Sequence, residues 1–114
     1  MIEDPEKAAR LIDEMKAHLP IAARLSGPLI GMLSERSPEL TIPTRCNVVS
    51  VFYAGEEGGI VCGFDIDGPD GQVAYKVSIT HLRFDRRVPL FRHIDAYQRH
   101  RIKMLGRQAR RESR

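Results

Sequence analysis

The hydrophobic period of this chain falls to two residues at Cys46 and returns to helical steps after Pro89. No arrangement of all helices or all strands satisfies both periods, because a helical face repeats every three or four residues and a strand face every second one. Between these points lie three runs, "CNVVSVFYA", "GIVCGFDI" and "QVAYKVSITHL", rich in β-branched and aromatic residues and separated by the turn clusters "GEEG" and "DGPDG". That order predicts a three-stranded antiparallel β-meander. If Ala54 faces Gly59 and Ile66 faces Val73, one sheet face carries Val49, Val51, Tyr53, Ile60, Cys62, Phe64, Ile66, Val73, Tyr75, Val77 and Ile79. The opposite face then holds Val48, Phe52 and Val61 among small and polar residues, a patch too apolar for water and therefore a candidate interface.

Two helices precede the sheet. Asp4-Pro5 reads as an N-cap with proline in the first turn, and Ala8, Leu11, Ile12, Met15 and Leu19 then share one face until Pro20. Ser26 and Pro28 open a shorter helix with Leu29, Ile30, Met32 and Leu33 as its stripe. After the sheet, Pro89 is expected to open a long basic C-terminal helix whose stripe is Leu90, Ile94, Tyr97, Leu105 and Ala109. The fold class is α+β, a two-layer packing of helices on one sheet face, in a single domain spanning residues 1–114 with the final "RRESR" disordered. A length of 114 residues, with 42% hydrophobic and 29% charged, suits one modest core.

Charge is unevenly distributed. Residues 1–80 hold seven Lys and Arg against twelve Asp and Glu, and residues 81–114 eleven against three, so segments of −5 and +8 make up the net +3. On the last helix Arg92, Arg99, Lys103, Arg107, Arg110 and Arg114 fall on one face and form a basic ridge. Such a ridge neutralises phosphates or meets an acidic protein; its plainer role is a solvated face complementing the helix dipole. The cluster "THLRFDRR" brings His81, Arg83, Arg86 and Arg87 beside Asp85, a candidate anion pocket or a local salt bridge fixing the corner.

Enzyme motifs are poorly represented. His93 and His100 lie two helical turns, about 10.5 Å, apart, too far to share one metal ion. "GEEGG" has no Lys-Ser/Thr after it and leads into a strand, unlike a phosphate loop. "DIDGPDG" begins with calcium-loop spacing but has no Glu at its twelfth position. Cys62 falls on the core face, and no Ser sits on a strand-to-helix elbow. No cofactor is implied. With no Trp and 6% aromatic residues, a stacking groove for single strands is disfavoured.

The N-terminus carries no secretory pattern and no run approaches a membrane span, so a cytoplasmic location with both cysteines reduced is expected, without membrane association. The expectation for function is a non-enzymatic interaction or adaptor module, homodimeric through Val48, Phe52 and Val61. The alternative is a sequence-tolerant nucleic-acid-binding protein using the basic helix; an acidic protein is the other candidate partner, and an enzyme centred on His81 comes third.

Overall fold

Helix α1 (Pro5–Lys16) begins where the Asp4 side chain accepts the Glu6 amide at 2.9 Å, and it buries Ala8, Leu11, Ile12 and Met15. In the computed structural model, which describes residues 3–112, the chain is α+β. Pro20 does more than end α1. The five residues after it form strand β1 (Ile21–Leu25), with Ile21, Ala23 and Leu25 buried and Ala22 and Arg24 exposed. Helix α2 (Gly27–Arg36) follows, capped by the Ser26 hydroxyl, which accepts the Leu29 amide at 3.4 Å; Leu29 and Leu33 enter the core while Met32 stays exposed.

The run expected as the first strand of the meander is two strands. β2 (Arg45–Val48) and β3 (Ser50–Tyr53) meet at Val49, whose amide donates to the Gly63 carbonyl at 2.9 Å while Ser50 also faces Gly63. Two residues opposing one is a β-bulge, and it inverts the side-chain alternation. Val51 is buried as expected. Val48 is fully buried, not on an outer face, and Val49 is exposed, not in the core. Gly63 leaves room for the bulge, since a Cβ there would lie 2.2 Å from the Ser50 hydroxyl.

Beyond the bulge the register is the expected one. β4 (Ile60–Gly68) pairs with β3 through Tyr53↔Ile60 and with β5 (Gly71–Ser78) through Ile66↔Val73, giving an antiparallel meander β3–β4–β5. The third strand stops earlier than its sequence suggests. Ser78 accepts the Thr80 amide, a 3₁₀ turn covers Ile79–His81, and β6 (Leu82–Arg83) joins a different sheet. That second sheet has the order β2–β1–β6, antiparallel throughout. The single sheet expected is therefore two three-stranded sheets, linked by the chain through Val49. Buried residues from Ala8 to Ile94 form one cluster shared by both.

Pro89 lies in the turn before the last helix, and Leu90 adopts φ 70° before α4 (Phe91–Glu112) starts. Arg110, Arg111 and Glu112, expected to be disordered, are helical; Ser113 and Arg114 lie outside the described residues. Ile94 is fully buried, whereas Ala109 and Ile102 are exposed. The Gln98 amide donates to the Ile79 and Leu82 carbonyls, both at 2.8 Å, and so pins α4 to the corner between the sheets. Among the described residues no helix is long and apolar enough to cross a membrane.

A candidate anion-binding face

The expected basic ridge on α4 lies at the surface. Arg92, Arg99, Lys103, Arg107 and Arg110 are all exposed, but Arg99 is paired with Asp95 one turn back at 2.9 Å and Arg110 is engaged as well. Arg101, passed over in the sequence because it lies on the apolar side of the helix, is buried with 2% of its surface exposed. Its guanidinium pairs with the buried Glu3 carboxylate and donates to the Glu56 and Glu57 carbonyls of α3 (Gly55–Gly58). Tyr97 completes the group. Its hydroxyl donates to Glu3 at 2.6 Å and accepts the Ile60 amide at 3.1 Å, and burial together with the Glu3 bond raises its pKa well above the usual phenol value. Gly59, at φ +65°, is required here because a Cβ would lie 2.5 Å from Arg101 Nε and 2.8 Å from the Tyr97 hydroxyl. Both Nη atoms of Arg101 and the Tyr97 hydroxyl donate to protein acceptors, so the group fastens α4 to the β3–β4 hairpin.

The more telling arrangement lies across the other sheet. In β2–β1–β6, Arg24 stands directly opposite Arg45 on one side and Arg83 on the other. Opposed residues of antiparallel strands share a face with Cβ atoms about 4.5–5.5 Å apart, so three guanidinium groups issue from one line across the sheet. All three residues are exposed. Like charges in such positions repel, which disfavours the pairing unless an anion sits among them.

Arg86 joins the row around a cleft of about 480 Å³, together with Asp85, the buried Phe84, Ala22 and Ala23. Four arginines thus face one carboxylate, and that carboxylate already accepts the Arg87 amide at 2.8 Å. Among the described residues none of Arg24, Arg45, Arg83 and Arg86 makes an ion pair. Of the expected anion cluster, Arg83 and Arg86 border the cleft, while His81 and Arg87 do not. Arg24 and Arg45 were missed. The alternating "IAARL" is the signal that could have found Arg24, since it places that residue outward once β1 is recognised as a strand.

On the outer face of β3–β4–β5, Phe52 is 38% exposed and Val61 half-buried, with Val48 absent from it for the reason given above. Lys76 lies 5.5 Å from the centre of the Phe52 ring and covers part of what remains apolar. Both cysteines are free thiols, and burial pushes Cys46 up to about 11 and Cys62, which also feels Cys46, up to about 12. Thiols so shifted are protonated at neutral pH and poor nucleophiles. No known protein family, characterised protein or solved structure matches the chain.

Proposed function

We propose that this protein is a non-enzymatic binding module that takes the phosphate backbone of nucleic acid on its arginine face. The observation that carries this reading is the row Arg45–Arg24–Arg83, in register across one sheet and, among the described residues, without an ion-pair partner. Phosphate oxygens are the ligands that a line of guanidinium groups fits best, through paired charge-assisted hydrogen bonds. The +8 segment beginning at His81 supplies Arg83, Arg86 and the α4 ridge, and the fold adds Arg24 and Arg45 from the acidic part of the chain. Binding is sequence-tolerant, because phosphate contacts carry no base information. A cytoplasmic setting belongs to the same reading, supported by the two free thiols. Self-association through Phe52 and Val61 has less behind it, with Val48 in the core and Lys76 over the ring.

Fluorescence anisotropy with a labelled DNA duplex tests the reading. If the four cleft arginines each neutralise one phosphate, log affinity falls with log salt at a slope of about −3 to −4. Arg24→Glu, at the centre of the row, is expected to weaken binding at least about tenfold and to flatten the slope by about one. Failure of the wild type to bind at low salt, or displacement by polyglutamate as easily as by DNA, rejects it; the latter result makes the face a dock for acidic protein.

A further inference from the structure

Strand β5 closes the meander as an open edge. Among the edge strands of the two sheets, β2 and β3 have four residues each and β6 two, whereas β5 has eight. Its register with β4 is unbroken from Val61↔Ser78 to Gly68↔Gly71, so it has no bulge, and no proline lies within it. The backbone groups it leaves free follow from the ladder. In antiparallel strands alternate residues bond to opposite sides, and Gly63 of β4 turns its carbonyl away from β5 to accept the Val49 amide. Cys62, Phe64 and Ile66 therefore bond to Val77, Tyr75 and Val73, while Gln72, Ala74 and Lys76 point their N–H and C=O groups out of the sheet. All three are exposed, and among the described residues no group bonds to those backbone atoms. Charged side chains commonly blunt such edges. Lys76 is the one charged residue of β5, and its Nζ is drawn back over its own sheet, 5.5 Å from the centre of the Phe52 ring on β3.

We infer that β5 pairs antiparallel with β5 of a second copy of this chain about a two-fold axis at Ala74, joining the two meanders into one six-stranded sheet. An axis there sets Ala74 opposite the partner's Ala74 and Gln72 opposite the partner's Lys76. All three free positions are then matched, and each opposed pair exchanges two backbone bonds. Val73, 38% exposed, comes opposite the partner's Tyr75, an aromatic and β-branched pair of the favourable kind. Tyr75 is already held in place, by the Ser37 hydroxyl at 2.8 Å and by stacking on Phe64. The neighbouring registers are worse. An axis at Lys76 opposes two like charges. Axes at Val73 and Tyr75 set Lys76 against the turn residue Asp70 and Gln72 against Ser78, where the strand ends. A strand of another protein is the competing occupant; the second copy is favoured because β5 matches itself at every free position without opposing like charges.

Sedimentation equilibrium of the nuclease-treated full chain, over a range of concentrations at low and high salt, tests the inference. The expected mass at the upper concentrations is twice the 12.9 kDa of one chain. It holds at high salt, because backbone pairing is not screened, and this separates it from association through the arginine face. Ala74→Pro removes the amide at the axis without costing the meander a bond, since that amide faces outward, and should halve the mass. Ala74→Glu and Ala74→Lys each place two like charges at the axis and should be monomeric alone, whereas an equal mixture of the two should recover the dimer. That charge pair decides the matter if Ala74→Pro does not fold. A wild type that stays a single chain at every concentration overturns the inference and leaves the edge to a foreign strand. A folded Ala74→Pro protein that remains a dimer, or a Glu and Lys mixture no heavier than its components, overturns it as well.

Discussion

The two sheets have three antiparallel strands each and draw on the same core, yet they are held together in opposite ways. In β3–β4–β5 each strand follows the last through a short turn, and the pairing Ile66↔Val73 is set by a tight hairpin. In β2–β1–β6 the strands come from residues 21–25, 45–48 and 82–83, with helix, bulge and meander between them. The local sheet supplies much of the core, including Phe64, Ile60 and Cys62; the assembled sheet turns a row of arginines outward. A surface made from distant segments gathers into one row charges that lie 21 and 38 residues apart in the sequence. Helix α4 is tied to both, through Arg101 and Tyr97 to the hairpin and through Gln98 to the corner at Leu82.

Cutting one tie at a time separates the two attachments. Arg101→Met leaves Glu3 buried without its counter-charge, which typically costs about 3–5 kcal/mol, and urea denaturation should register a loss of that size. The double change Glu3→Leu with Arg101→Met should recover most of it, because an apolar pair replaces an ion pair at little or no net cost. Gln98→Ala removes the donor to two carbonyls on the other side of the helix and should cost about 1–3 kcal/mol. Equal losses in the two single variants would mean that α4 does not distinguish the sheets.

The same division governs what could be read from the sequence. The hairpin β4–β5, the caps at Asp4 and Ser26 and the register of the meander rest on neighbours in sequence, and each was legible. β1 was not, since five residues containing two alanines carry a weak strand preference and follow a proline that reads as a helix stop. Missing β1 hid its partners, and with them the arginine row. The bulge at Val49 was hidden too: "NVVSV" alternates acceptably in either phase, and only the divergence of β2 and β3 into separate sheets decides which valine turns inward. Arg101 was obscured because a stripe drawn through apolar residues skips an arginine whose charge is met by Glu3, 98 residues away.

Alkaline pH tests the comparison more gently, because each sheet contains one shifted thiol, Cys46 on β2 and Cys62 on β4. Both lie above the ordinary value of 9.0 when folded, by burial foremost, and Tyr97 is raised as well. Groups raised on folding favour the protonated folded state. Their contribution is fully present below about pH 9 and is lost as pH climbs through the folded values, about 11 for Cys46 and about 12 for Cys62. The urea midpoint should therefore fall between pH 8 and pH 11, and fall less in Cys62→Ala than in Cys46→Ala, since the larger shift belongs to Cys62. An unchanged midpoint at pH 11 would count against buried, neutral thiols in either sheet.

The smallest expected effect bears most directly on why the arginine row exists. If Arg24 is held between Arg45 and Arg83 for an anion and not for the fold, replacing it should stabilise the unliganded protein. Arg24→Thr keeps a residue suited to a strand and removes two like-charge cross-strand contacts, which should raise stability by about 0.2–1 kcal/mol at low salt. The gain should shrink as salt increases, because repulsion between exposed charges is screened over about 8 Å at physiological ionic strength. A DNA duplex should reverse the order, protecting the wild type against urea more than the variant, as preferential binding to the folded state requires. If Arg24→Thr were less stable at every salt concentration, the arginines would be serving the sheet through packing of their stems, and the repulsion that motivates the binding site would be absent.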